Sequence, residues 1–251
     1  MDLHSLFGLS GRRALVTGGS SGIGRGIAEA LAAAGAEVIV AARGRDLIDE
    51  TVGQIRSEGG LASGIVADLS SRAGCHELAD QAGDIDILVN SAGINIRPPL
   101  LELDEPAWDA TMAVNLDAPF ILGQRFAPGM IERGYGRIIS ISSQQASRAF
   151  ASSGAYGASK AALEGLARSQ AEAWSAAGVT SNVLVPGFVL TRLNERLASN
   201  PDVVDALAAR TFVGRNGVPD DFAAAAIFLA GPGSAYVTGQ SIAVDGGFSV
   251  H

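Results

Sequence analysis

Tyr156-Gly157-Ala158-Ser159-Lys160 sets a phenol and an ammonium four residues apart, with the Ser143 hydroxyl thirteen residues upstream. Four residues are about one helical turn, so on a helix the two side chains share a face. A free tyrosine, with a pKa of about 10, is a poor base near neutrality, and an ammonium beside it favours the phenolate. Lowering that pKa by about three units takes roughly 4 kcal/mol of differential stabilisation, which a cation supplies far better in a dry pocket than in water. The chemistry open to such a group is proton transfer at a substrate oxygen, with Ser143 as a second hydrogen-bonding hydroxyl. The pair alone does not define a site, because the same spacing serves a half-buried ring beside a solvated amine.

Composition narrows what can surround it. The 251 residues contain no charge run, low-complexity tract or linker, which predicts one domain spanning residues 1–251. A hydrophobic content of 47% with 32 glycines suits an α/β protein whose central strands are buried on both faces. A mean hydropathy of +0.26 predicts apolar surface that closes against copies of the chain. The net charge of −8 and pI of 4.9 argue against nucleic acid and anionic membranes as partners, leaving small molecules and other subunits. Cys75 is the single cysteine and His4, His76 and His251 are scattered, so neither a disulfide nor a metal site is expected, and the compartment expected is reducing cytoplasm. The start Met1–Phe7 lacks the basic and long apolar regions of a signal peptide, and no apolar stretch approaches 18 residues.

Short runs rich in Val and Ile predict strands at Ala14–Val16, Val38–Ala41, Ile65–Ala67, Ile85–Val89, Arg137–Ile141, Val179–Val185 and Ser241–Val244. Helices are predicted between them at Gly22–Ala34, Asp46–Glu58, Ser71–Ala82, Trp108–Arg133 and Tyr156–Ala177. The alternation implies a doubly wound, seven-stranded parallel sheet with helices on both faces, and a ligand site beyond the carboxyl ends of the strands. Residues 187–218 break the pattern with a loop and a helical stretch, Asn194–Arg210, interrupted by Pro201, and are expected to form a substrate lid.

After the first strand comes Thr17-Gly18-Gly19-Ser20-Ser21-Gly22-Ile23-Gly24. Glycines at 18, 22 and 24 allow a tight turn, close approach of the backbone to a phosphate, and close packing of helix on strand. The same residues spell Gly-x-Ser-x-Gly around Ser20, the form of a hydrolase nucleophile elbow. That reading needs a histidine base, and only His76, in a predicted outer helix, and the terminal His251 follow the serine. The nucleotide site of a Rossmann fold is the favoured reading of the glycine loop, with a serine hydrolase as the remote alternative.

The loop resembles the Thr-Gly-x3-Gly-x-Gly segment of the short-chain dehydrogenases/reductases, and the likeness extends over nearly the whole chain. Asn90-Ser91-Ala92-Gly93 resembles that family's Asn-Asn-Ala-Gly, with serine at its second position. Asn115 and Ser143 stand where the family carries catalytic residues, and Tyr156 and Lys160 match its Tyr-x3-Lys pair. The segment Pro186-Gly187, with Val189 and Thr191, resembles the one that touches the nicotinamide, and Val244-Asp245-Gly246-Gly247 the strand used in subunit packing. The resemblance implies an NAD(P)-dependent interconversion of a secondary alcohol and a ketone. Tyr156 is implied as general acid/base, Ser143 as the group that orients the substrate oxygen, and Lys160 as the residue that lowers the tyrosine pKa and bonds the ribose. Asn115 is implied to hold a water beside Lys160. A homotetramer or homodimer is implied too, through the long helices Trp108–Arg133 and Tyr156–Ala177.

At the end of the second strand the family's acidic position is Ala42, followed by Arg43, which favours NADP(H) over NAD(H); Ser21, where many NADP-using relatives carry a basic residue, points the other way. Asp68-Leu69 resembles the pair at the adenine. Candidate substrate contacts are Ile94, Asn95, Gln145, Phe150, Phe188 and Leu193, and Arg97, Arg148 and Arg192 near the mouth suggest an anionic substrate. The runs Gly93–Leu103 and Thr191–Asn194 are similar to sugar-acid dehydrogenases of the gluconate type, and the core motifs also occur in 3-oxoacyl-carrier-protein reductases. A non-catalytic nucleotide sensor of the same fold would be expected to lose Tyr156 or Lys160, and both are present.

Overall fold

The computed structural model describes residues 2–194 and 199–251, without the side chain of Arg192. Seven strands, β1 Arg13–Thr17, β2 Glu37–Ala42, β3 Leu61–Val66, β4 Ile87–Asn90, β5 Gly136–Ile141, β6 Val179–Pro186 and β7 Ser241–Val244, form one sheet in the order β3-β2-β1-β4-β5-β6-β7. Every pairing is parallel. The order reverses between β1 and β4, whose carboxyl ends pair in the register Thr17↔Asn90. That crevice is the switch point at which such sheets bind ligands.

Alternating side chains of the central strands feed two cores. Ala14 and Val16 of β1 and Ile87 and Val89 of β4 pack with α2 (Gly22–Ala33), α3 (Arg45–Ser57) and the helix Ala223–Ala230. Leu15 and Leu88, one residue out of phase, pack on the other face with α4 (Arg72–Ala82) and α6 (Ala118–Glu132). A short α1, Leu3–Phe7, precedes the sheet, and α7, Gly154–Trp174, lies against β6.

The structure departs from the pattern-based expectations in several places. The helix predicted at Trp108–Arg133 is two helices, α5 (Glu105–Met112) and α6, joined by a widened π turn at Ala113–Asp117. Pro119 has no N–H for the carbonyl of Asn115 four residues earlier, which accounts for the local change of pitch. Strand β3 begins at Leu61, four residues before the predicted start; as an edge strand it is half exposed, and Gly64 interrupts its apolar alternation. The helix Ala223–Ala230 was not expected, because Ala-Ala-Ala-Ala-Ile-Phe-Leu-Ala is apolar all round and shows no helical period. Of the stretch Asn194–Arg210, residues 195–198 lie outside the described residues, and Pro201–Ala209 is helical with Pro201 in its first turn and Asn200 as N-cap. Among the described residues no helix is long and apolar enough to cross a membrane.

Candidate active site

The chain leaves β1 at Thr17 and enters α2 at Gly22. Gly18 (φ 66°) and Gly22 (φ 53°) have left-handed backbones that other residues resist. A Cβ on Gly18 would lie 2.8 Å from the Ala92 nitrogen, and one on Gly24 would collide with the Gly18 carbonyl oxygen. Thr17 fastens the opposite wall: its hydroxyl accepts from the N–H groups of Ser91 and Ala92, each at 3.2 Å. The N-caps Ser71 of α4 and Asp104 of α5 accept hydrogen bonds from their own first turns, at 3.1 and 2.9 Å. Ser21 at the start of α2 makes no such bond, so no side-chain cap competes for the first N–H groups of that helix.

These backbones edge a cavity of about 1030 Å³ along the carboxyl ends of the strands. That volume suits a dinucleotide with a small substrate, since ligand clefts run to about 1,000 Å³. A cradle that a Cβ would fill, uncapped N–H groups and this volume together fit a nicotinamide dinucleotide. Every position expected at the cofactor lines the cavity except Asn90. Asn90 is buried and donates from Nδ2 to Ser140 Oγ at 3.3 Å, joining β4 to β5. Arg43 lines the rim, exposed, with no carboxylate within ion-pair distance among the described residues. Its charge reaches Asp68, whose carboxyl is held below its usual value chiefly by hydrogen bonds from Ser70.

Ser143, Tyr156 and Lys160 meet at the middle of the same cavity. Ser143 follows β5 and caps the turn Gln144–Ala146, its Oγ accepting from Gln145 N at 3.2 Å. Tyr156 and Lys160, 6% and 5% exposed, sit one turn apart on α7. Lys160 Nζ donates to the Ile141 carbonyl at 2.7 Å and stands 5.6 Å from the centre of the Tyr156 ring. Burial lowers the Lys160 pKa to about 8. Burial likewise raises the Tyr156 pKa, and the groups that oppose the rise are the Ser143 hydroxyl and the Arg97 charge. Desolvation outweighs these contributions at the phenol, while the Lys160 ammonium keeps two protons beyond its bond to Ile141.

Asn115 is braced by its amide. Its side chain does not face the cavity: Oδ1 accepts from Ile94 N at 2.9 Å, and Nδ2 donates to Ile94 O and Ser159 Oγ, both at 3.0 Å. It fixes the loop after β4 to α7 through both protons of its amide.

The expected substrate positions Ile94, Asn95, Gln145, Phe150, Phe188 and Leu193 all line the cavity. Gln145 is held by Ser153, which donates to its Oε1 at 2.7 Å. Arg97 lines the cavity as well, its Nη2 donating to the Ala151 carbonyl at 2.9 Å. Arg148 stands outside, near Asp245, and the Arg192 side chain lies outside the described residues. Sequence reasoning missed Val203 and Leu207, from the helix Pro201–Ala209, and Phe248. The apolar i, i+4 spacing of the first two was a usable signal; the position of Phe248 carried none.

Residues 18–249 match the family model described as enoyl-(acyl carrier protein) reductase, within the short-chain dehydrogenases/reductases. The chain is 40% identical to gluconate 5-dehydrogenase of Gluconobacter oxydans (strain 621H) over 100% of its own length and 99% of that protein. It is 38% identical to the rhamnolipids biosynthesis 3-oxoacyl-[acyl-carrier-protein] reductase of Pseudomonas aeruginosa, covering 98% of this chain and 99% of that one. A crystal structure of a gluconate 5-dehydrogenase from Burkholderia cenocepacia J2315 in complex with NADP and tartrate superposes with a TM-score of 0.94 at 38% identity, over 100% of both chains. With one nucleotide cradle, one parallel sheet and these relatives along its whole length, the chain belongs to the short-chain dehydrogenase/reductase family and is an NAD(P)-dependent oxidoreductase acting between a secondary alcohol and a ketone.

Proposed function

We propose that this enzyme oxidises a hydroxyl of a sugar acid of the gluconate type, or reduces the corresponding keto acid, with NADP(H). The observation that carries the reading is Arg97, a cation lining the same cavity as Tyr156 and acting on its phenol in a protein of net charge −8. The gluconate names of the Gluconobacter and Burkholderia relatives support it. Exposed Arg43, after Ala42, supports NADP(H) through a charge-assisted contact with a 2′-phosphate. When bound, the nicotinamide supplies or accepts hydride at the carbon bearing the oxygen.

In the reducing direction Tyr156 donates its phenolic proton to the carbonyl oxygen, and a phenol kept protonated by burial is suited to that step. Ser143 hydrogen-bonds the same oxygen, Lys160 would hold the ribose of the bound cofactor, and Asn115 acts as a positioning residue through Ile94. Residues 187–218 form the lid of a one-domain enzyme, a reading supported by the Val189↔Gly217 bridge and by Gly217 N donating to Phe188 O at 2.9 Å, which fasten the two ends of the segment. Exposed Leu101, Trp108 and Phe120 support a homotetramer, and the single buried Cys75 fits the cytoplasm. Reduction of 3-oxoacyl carrier protein, favoured by likeness to the Pseudomonas enzyme, is the second reading.

Nicotinamide absorbance assays with D-gluconate, 5-keto-D-gluconate, galactitol and acetoacetyl thioester, each with both cofactors, test these assignments. The sugar-acid pair with NADP(H) should give the highest kcat/KM. A higher value for the thioester would sink the sugar-acid reading, and a preference for NAD(H) would sink the role of Arg43.

A further inference from the structure

The motif Asp245-Gly246-Gly247, which resembles a subunit-packing strand, also has a role within the chain. Gly246 (φ 63°) and Gly247 (φ 84°) turn the chain back after β7. A Cβ on Gly246 would lie 2.6 Å from Val213 Cγ2, and one on Gly247 2.5 Å from Phe212, so the turn seats directly on the segment that leaves the helix Pro201–Ala209. Asp245 holds it shut: its carboxylate accepts from Gly247 N at 2.9 Å and Ser249 N at 2.8 Å, and from Gln144 Nε2 at 3.4 Å. Gln144 is the neighbour of Ser143, so one carboxylate ties the C-terminal turn to the loop that carries the hydroxyl.

The turn delivers Phe248, 1% exposed, into the wall of the cavity. There its ring stacks on Phe150 at 6.5 Å between centroids and 22° between planes. The Arg210 guanidinium, at the end of the helix Pro201–Ala209, lies 4.2 Å from the same ring. Phe248 is therefore held by the catalytic loop and by the helix over the pocket at once.

We propose that Phe248, stacked on Phe150, is the specificity-determining end wall of the substrate pocket, limiting how far an acyl or carbon chain can extend beyond the reacting carbonyl. The wall admits compact polar ketones and excludes elongated apolar ones. The proposal rests on the family's carbonyl chemistry and stands whether or not the sugar-acid reading does.

The test compares ethyl 3-oxobutanoate, ethyl 3-oxohexanoate and ethyl 3-oxooctanoate as substrates with NADPH, for the wild type, Phe248→Ala, Phe248→Leu and Phe150→Ala. NADPH fluorescence titration checks that each variant retains its nucleotide affinity. Removing several methylene-sized groups should raise the kcat/KM ratio of the longest to the shortest ester by about tenfold or more in Phe248→Ala, and by less in Phe248→Leu. Phe150→Ala should move the ratio the same way, and it decides the matter if Phe248→Ala does not fold. An unchanged or lowered ratio in variants that bind NADPH normally would overturn the wall, as would the absence of any gain on the longer esters. Activity of the wild type on 5-keto-D-gluconate, measured in parallel, reports on the sugar-acid reading alone.

Discussion

The two ends of the cavity are built from different materials. At the glycine loop the walls are backbone: Gly18 against Ala92, Gly24 against Gly18, and N–H groups held by Thr17. At the far end they are side chains from distant parts of the chain, with Phe150, Phe248 and Leu207 contributed by a loop, a C-terminal turn and the helix Pro201–Ala209. A backbone wall fixes one shape and suits a ligand common to many enzymes. A side-chain wall can be altered one residue at a time without disturbing the sheet, which is how one fold can serve many substrates. Tyr156 lies at the seam, and its loss should be the largest single effect. Tyr156→Phe is expected to lower kcat by roughly 10²–10⁴-fold, the usual weight of a positioned acid/base, while NADPH affinity and thermal midpoint stay close to wild type. Near-normal turnover would remove the assignment, and lost nucleotide binding would show that the two ends are not separable.

A pair of glycine substitutions sharpens the contrast at the next level of effect. Gly18→Ala and Gly246→Ala impose similar backbone strain, at φ 66° and φ 63°. At Gly18 the new methyl meets backbone atoms of Ala92, which cannot give way, whereas at Gly246 it meets the end of the Val213 side chain, which can. Gly18→Ala should therefore cost about 1–3 kcal/mol, a fall of several degrees in thermal midpoint for a chain of this size, and weaken NADPH binding. Gly246→Ala should cost less and leave NADPH binding unchanged. Equal losses of nucleotide affinity in calorimetric titrations would break the comparison.

The same division decides what could be read from sequence. The sheet was legible because its strands are short runs of Val and Ile between turn residues, and the glycine loop because its spacing reflects backbone constraints local to a dozen residues. Phe248 was not, since its position depends on a chain reversal and on contacts with Phe150 and Arg210, far away in sequence. Lys160 was placed on the correct face of its helix, but its partner was not foreseeable, because the Ile141 carbonyl becomes available only where β5 ends against α7. The partners of Asn115 were hidden for a related reason: an asparagine in a helical pattern does not announce that both ends of its amide are taken by one residue, Ile94.

The smallest expected effect lies where the substrate end returns to the cofactor end. Arg215 donates twice to Asp221, at 2.7 Å each, and Asp221 also accepts from Val218 N at 2.8 Å. The turn Pro219–Phe222 that carries Asp221 rests on α2, where a Cβ on Gly26 would lie 3.0 Å from the Pro219 carbonyl oxygen. The Arg215 guanidinium holds the Asp221 carboxyl down to about 2 against the opposing effect of burial. A carboxyl whose folded pKa is depressed adds stability that is fully present above its unfolded value of about 4 and disappears as the pH falls through about 2. Asp221→Asn should accordingly lower the thermal midpoint slightly at neutral pH, with the gap to wild type closing between about pH 4 and pH 2. Both side chains are partly exposed, 57% for Arg215 and 27% for Asp221, so added salt should shrink the gap at neutral pH. If the gap persists undiminished at pH 2, the turn is held by its backbone contacts with α2 rather than by the ion pair, and the junction belongs with the backbone-walled end of the molecule.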